Sequence, residues 1–74
     1  MFGSMANKAL FVKALRRSVK LLGSQEATGK AVGVDQATIS RWLSGKVGWI
    51  PYHMPIAIEK ATGGEVKATE FYPS

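Results

Sequence analysis

Seventy-four residues with ten Lys and Arg, five Asp and Glu, no cysteine and a formal net charge of +5 describe one small basic domain. A core of this size gives only about 3–5 kcal/mol on its own, so stability is expected to lean on a bound partner. Without cysteine there is neither a disulfide framework nor a thiolate metal site. No apolar run approaches the roughly 18 residues that span a bilayer, and the positive balance suits a polyanionic surface.

Residues 1–5 read as a leader or an expression scar, with Met5 as the natural start; residues 6–74 form the domain. The first helix is expected from about Ala6 to Leu22, with Asn7 as a candidate cap. Phe11, Leu15, Val19 and Leu22 repeat at helical spacing and form its apolar face. Lys13, Arg16, Arg17 and Lys20 occupy much of the rest, either as a solvated face or with Arg17 or Lys20 touching an anion. Gly23 ends this helix in the left-handed conformation. Ser24 caps the next helix, Gln25 begins it, and Glu26 suits its N-terminus. Lys30 reads as solvated.

The stretch 25–45, QEATGKAVGVDQATISRWLSG, carries the strongest signal. It reads as two short helices joined by a tight turn that pivots on Gly33, where a positive φ costs glycine nothing. Gly29 lets the second helix cross closely, and Val32, Val34, Ile39 and Trp42 hold the pair together. Asp35 caps the second helix; accepting from a cytosine amino group is its alternative role. On the wheel of helix 36–44, Gln36, Ala37, Ser40, Arg41 and Ser44 fill one arc with neither Glu nor Lys. An amide can pair bidentately with adenine, and a guanidinium with guanine or phosphate. Thr38 lies on the inner arc, for packing or a backbone bond.

Gly45 stops this helix, and Lys46 just beyond it is placed for a phosphate. Trp49 is open to two readings: it plugs the core, which we expect, or it is exposed for self-association. The last helix is expected to start between Pro51 and Met54 and to end near Thr62 before Gly63-Gly64, with Ile56, Ala57 and Ile58 closing the core. His53 reads as partly exposed, not as a metal ligand. In the tail, Val66 and Phe71 are expected to dock, Thr69 to cap a single helical turn, and Tyr72-Pro73 to end the chain.

These features are the pattern of a DNA-binding helix-turn-helix. Gln25, Gly29, Gly33-Val34, Gln36 and Ile39-Ser40 resemble the motif of phage Cro and repressor proteins. Residues 40–45, SRWLSG, and 57–64, AIEKATGG, resemble more specifically the small prophage-encoded Cro-like regulators of the YdaS type, over about 15–73. The chain departs from that pattern at Thr28, where Leu or Ala is commoner, and at Tyr52-His53-Met54-Pro55, where a Pro-Ala-Glu-Arg-like helix start is usual.

The resemblance implies an all-α, four- to five-helix lambda-repressor/Cro-like domain. It implies a regulator that binds operator DNA from the cytoplasm and needs no cofactor, metal, membrane or small-molecule ligand. A Gln at the position of Gln25 binds a phosphate in such proteins, and the C-terminal part often carries a dimer contact. The expected base contacts are Gln36, Ala37, Ser40, Arg41 and Ser44; the expected phosphate contacts are Gln25, Lys46 and Arg17 or Lys20. Selectivity then calls for a homodimer on a palindrome. Some YdaS-type proteins are described as prophage toxins or antitoxins, and a protein-interaction module of the same fold is the competing reading. No catalytic constellation is present, so an enzyme is not expected.

Overall fold

The computed structural model describes residues 3–71, with side chains from residue 8 onward. Four α-helices and one closing turn follow in order: α1 Gly3–Leu22, α2 Gln25–Val32, α3 Gln36–Leu43, α4 Met54–Ala61 and a 3-10 turn Ala68–Phe71. The helix expected from Ala6 begins earlier, and Asn7 lies inside it rather than at its cap.

The core forms where the helices meet. Phe11, Ala14 and Leu15 of α1, Val32 of α2, and Ile39 and Trp42 of α3 are buried together. Met54 and Ile58 of α4, with Val66 and Phe71 of the tail, complete it. Phe11 is the centre of an aromatic group. Its ring meets Trp42 edge-on at 5.7 Å and Phe71 at 5.5 Å. Two polar side chains among the described residues are fully buried and satisfied within their own helices. Ser18 donates to Ala14 O at 2.7 Å, and Thr28 donates to Ser24 O at 2.8 Å. The second bond is how α2 accommodates Thr28, where the family pattern favours an apolar residue.

Ile56 does not close the core; it is 57% exposed. Residues two apart on a helix point about 200° away from each other, so α4 cannot bury both Ile56 and Ile58. It buries Met54, Pro55 and Ile58 instead, while Ala57 is half-buried. The two closely spaced prolines are accommodated by a turn. Pro51 O accepts from Met54 N–H at 3.0 Å, and Pro55 falls in the first turn of α4, where an amide would lack a partner anyway. His53 is the residue before α4, and its ring ties that helix start to the end of α2. The Val32 carbonyl can only accept, so Nε2–H donates to it at 3.0 Å.

The tail docks through Val66 and Phe71, both buried. Its backbone is held by carboxylates and a hydroxyl. Glu59 accepts from Ala68 N–H at 2.8 Å, Glu70 from Lys67 N–H at 2.9 Å, and Thr62 Oγ1 from Val66 N–H at 3.1 Å. The turn at 68–71 is therefore capped by Glu70, which reaches back to the Lys67 amide, and not by Thr69. The backbone bond from Lys67, with Arg17 beside it, holds the Glu70 carboxyl below its usual pKa. Tyr72 and Pro73 lie outside the described residues.

Candidate nucleic-acid interface

Each joint of the α2–α3 unit is set by a local signal. Gly23 has φ 102° after α1. Ser24 Oγ then accepts from Ala27 N–H at 3.0 Å and caps α2. At the other end Gly33 takes φ 93°, a conformation that would strain any residue with a Cβ. The amides of Gly33 and Val34 both donate to Gly29 O, at 2.7 and 2.9 Å. Gly29 itself is the close crossing. A Cβ there would stand 2.6 Å from Val34 O, so the turn into α3 lies directly on the α2 backbone.

Asp35 starts α3. Its Oδ1 accepts from Thr38 N–H at 2.9 Å and from Thr38 Oγ1 at 2.6 Å. Thr38 thus bonds a carboxylate, where packing or a backbone bond was expected. The two bonds, hydroxyl first, lower the Asp35 pKa. A carboxylate at the base of this helix is therefore turned onto the helix's own first turn.

At the far end, Gly45 takes φ 93°. Gly45 N–H donates to Trp42 O and Lys46 N–H to Arg41 O, each at 3.0 Å. That pair of bonds is a Schellman motif, and it fixes Lys46 against the last turn of α3. Ser44 Oγ donates to Arg41 O at 2.7 Å.

Between these joints α3 buries Ile39 and Trp42 and exposes Gln36, Ala37, Ser40 and Arg41, with Ser44 beyond its end also exposed. The five residues named as base contacts thus share one open surface. Gln25 is half-buried at the first position of α2, and Lys46 is exposed.

The contributions expected from α1 are arranged differently. Arg17 is bonded at 2.8 Å to Glu70 Oε1 and at 2.8 Å to Glu65 O. It is held by the tail, which packs on α1 and α4, and is not set beside α3. Lys20 is exposed one turn further along. Of the basic residues of α1, Lys8 is brought beside the end of α3, lining a hollow with Val12, Leu43, Ser44 and Gly45. Its distance from the motif in sequence hid it; only the α1–α3 packing reveals the neighbourhood.

Trp49 corrects the expectation of core burial: it is 72% exposed. The buried aromatic positions are taken by Phe11, Trp42 and Phe71. Instead Trp49 joins Thr38, Arg41, Trp42, Lys46 and Gly48 around an open hollow of about 280 Å³ beside α3. Among the described residues no three His, Asp or Glu side chains gather to hold a metal, and no helix is long and apolar enough to cross a membrane.

Two short helices locked by a glycine turn, packed on a long first helix and a short fourth, define a small all-α helix-turn-helix domain of the Cro-like kind. The family model described as bacterial toxin YdaS matches residues 15–74, and the chain belongs to that family. Neither a curated protein nor a solved structure gives a match.

The Asp35 cap makes α3 sensitive to acid. A carboxylate whose pKa is lowered on folding contributes stability above its unfolded value, near 4, and loses it as pH falls through the folded value. Asp35→Ala should therefore lower the thermal midpoint at neutral pH, with the difference from wild type shrinking on acidification. Asp35→Asn should keep most of the cap and lose its acid dependence. Thermal melts from neutrality down through the carboxylate range check both; a constant Asp35→Ala difference at every pH would remove the charged cap.

Proposed function

We propose that this chain is a DNA-binding regulator, not an enzyme. In this reading, helix α3 enters the major groove of duplex DNA. The observation that carries it is the open surface of Gln36, Ala37, Ser40, Arg41 and Ser44, free of carboxylates, with Lys46 and Lys8 at its end. Asp35, the one acidic residue at the base of α3, is occupied by Thr38. The arc offers an amide, two hydroxyls, a methyl and a guanidinium to base edges, the chemistry of direct readout. Lys46, Lys8, Gln25 and exposed Lys20 supply the sequence-independent phosphate contacts that give affinity and register.

One α3 spans only a few base pairs. Selectivity then follows from two copies on a palindrome, with half-sites about 34 Å apart. Phe71 and Val66 are buried against their own body, so the tail up to Phe71 is less available for a dimer contact than expected. Tyr52 and Ile56, at 91% and 57% exposure, are the apolar side chains of the α4 region left for a partner copy. The reading is a Cro-type repressor of phage or prophage origin acting in the bacterial cytoplasm. In this reading the toxicity named in the family's description would follow from misregulating host genes.

The reading is tested by titrating the protein against duplex DNA at increasing salt. Binding should weaken steeply, as counterion release requires. Arg41→Ala should cost roughly 1–3 kcal/mol and relax preference at one base position. A loss equal for all sequences would make Arg41 a phosphate contact. Binding that is absent at every salt concentration would favour instead a protein-interaction module using Trp49, Tyr52 and Ile56.

A further inference from the structure

Resting on that reading, we infer that the loop 46–49 is a second DNA-contacting element, with Trp49 laid against the sugar-phosphate backbone beside the groove that α3 enters. Three observations on the loop converge. Trp49 is 72% exposed although its indole is among the largest apolar side chains of the chain. It shares its hollow with Arg41 and Lys46, the two cations at the end of α3. Gly48, which lines the same hollow, is not demanded by the fold: its φ is not positive, and a Cβ there would meet nothing within 4 Å. What the glycine does provide is an uncovered backbone beside two cations, open to close approach.

Indole suits this task. Its face covers the apolar edge of a deoxyribose, while its one N–H donates to a phosphate oxygen. Lys46, held by the Schellman bonds, neutralises the same backbone segment. Asp35, a carboxylate whose charge bears on Arg41, is committed to Thr38. The occupant of the hollow is therefore an anionic polymer with an apolar face, as duplex DNA presents along its backbone.

Intrinsic fluorescence separates the two tryptophans, because Trp42 is 3% and Trp49 72% exposed. The full chain is titrated with a random-sequence duplex at low salt. Binding is followed in parallel by the anisotropy of a labelled strand. The red, solvent-exposed part of the emission should quench or shift in step with binding, and Trp49→Phe should remove that signal. Trp49→Ala should weaken binding about tenfold, the scale set by covering roughly 60 Å² of apolar ring, without changing the salt slope. Lys46→Ala should lower the slope by about one. Gly48→Ala should leave the melting curve unchanged while weakening binding, which a purely structural glycine would not do.

If the duplex binds but Trp49 emission stays constant and the Trp49 and Gly48 variants bind like wild type, the inference fails and the α3 reading stands. Emission that changes with protein concentration in the absence of DNA would make Trp49 a contact between copies of the chain and overturn it. No binding by the wild-type chain would overturn both.

Discussion

Phe11→Ala is expected to leave the domain largely unfolded at room temperature. Phe11 is 3% exposed and meets both Trp42 and Phe71 edge-on. It thereby joins α1, α3 and the tail through one side chain. Truncating a buried phenylalanine costs about 3–5 kcal/mol. A single core of this size supplies about 3–5 kcal/mol in total, so the loss is comparable with everything available. Far-ultraviolet circular dichroism and urea titration would read it directly. Phe11→Leu, which keeps most of the volume, should remain folded with a lower midpoint. A cooperative melt near the wild-type temperature for Phe11→Ala would mean that α1 and the tail are not joined through this ring.

Gly29→Ala should destabilise although it replaces glycine with the best helix former. Helix propensity alone favours the change by about 1 kcal/mol. The added Cβ, however, would lie 2.6 Å from Val34 O and 3.3 Å from the Asp35 carbonyl carbon. Those atoms belong to backbone, which cannot rotate aside as a side-chain tip can. Overpacking of this kind costs about 1–3 kcal/mol or more, and each kcal/mol moves the midpoint of so small a domain by about 4–8 °C. The strain falls on the turn that aims α3, so the variant should also lose DNA affinity beyond its loss of stability. For the stability readout alone, Gly48→Ala is the matched control, since its Cβ meets nothing. A raised melting temperature for Gly29→Ala would show that α2 and α3 cross less closely than this geometry requires.

What the sequence made legible was local. Caps and stops are decided within four residues of where they act. Ser24, Gly33, Asp35 and Gly45 could therefore be assigned before the fold was known, and each does what its chemistry suggests. The polar arc of α3 was equally legible, because helical periodicity separates it from Ile39 and Trp42. The errors concern choices that depend on distant partners. Nothing within the loop shows that the core is completed by other aromatics, Phe11, Trp42 and Phe71, leaving Trp49 outside. Ile56 and Ile58 are equally apolar, and only the placement of α4 against α2 and the tail selects Ile58. Arg17 looked like its basic neighbours, yet Glu70, 53 residues away, holds it. Lys8 lay outside the motif and was brought to Ser44 by helix packing. Local signals thus defined α3 and its polar arc, while the frame of cations and aromatics around it was set by tertiary structure.

The central claim is that α3 reads DNA sequence through its exposed arc. In-vitro selection from a random duplex pool, run at two salt concentrations, tests it most directly. The expected result is enrichment of a palindrome with half-sites one helical turn apart, lost or altered at one position per half-site when Arg41 is replaced by alanine. Salt-sensitive binding with no enriched sequence, or no binding at all, would contradict it.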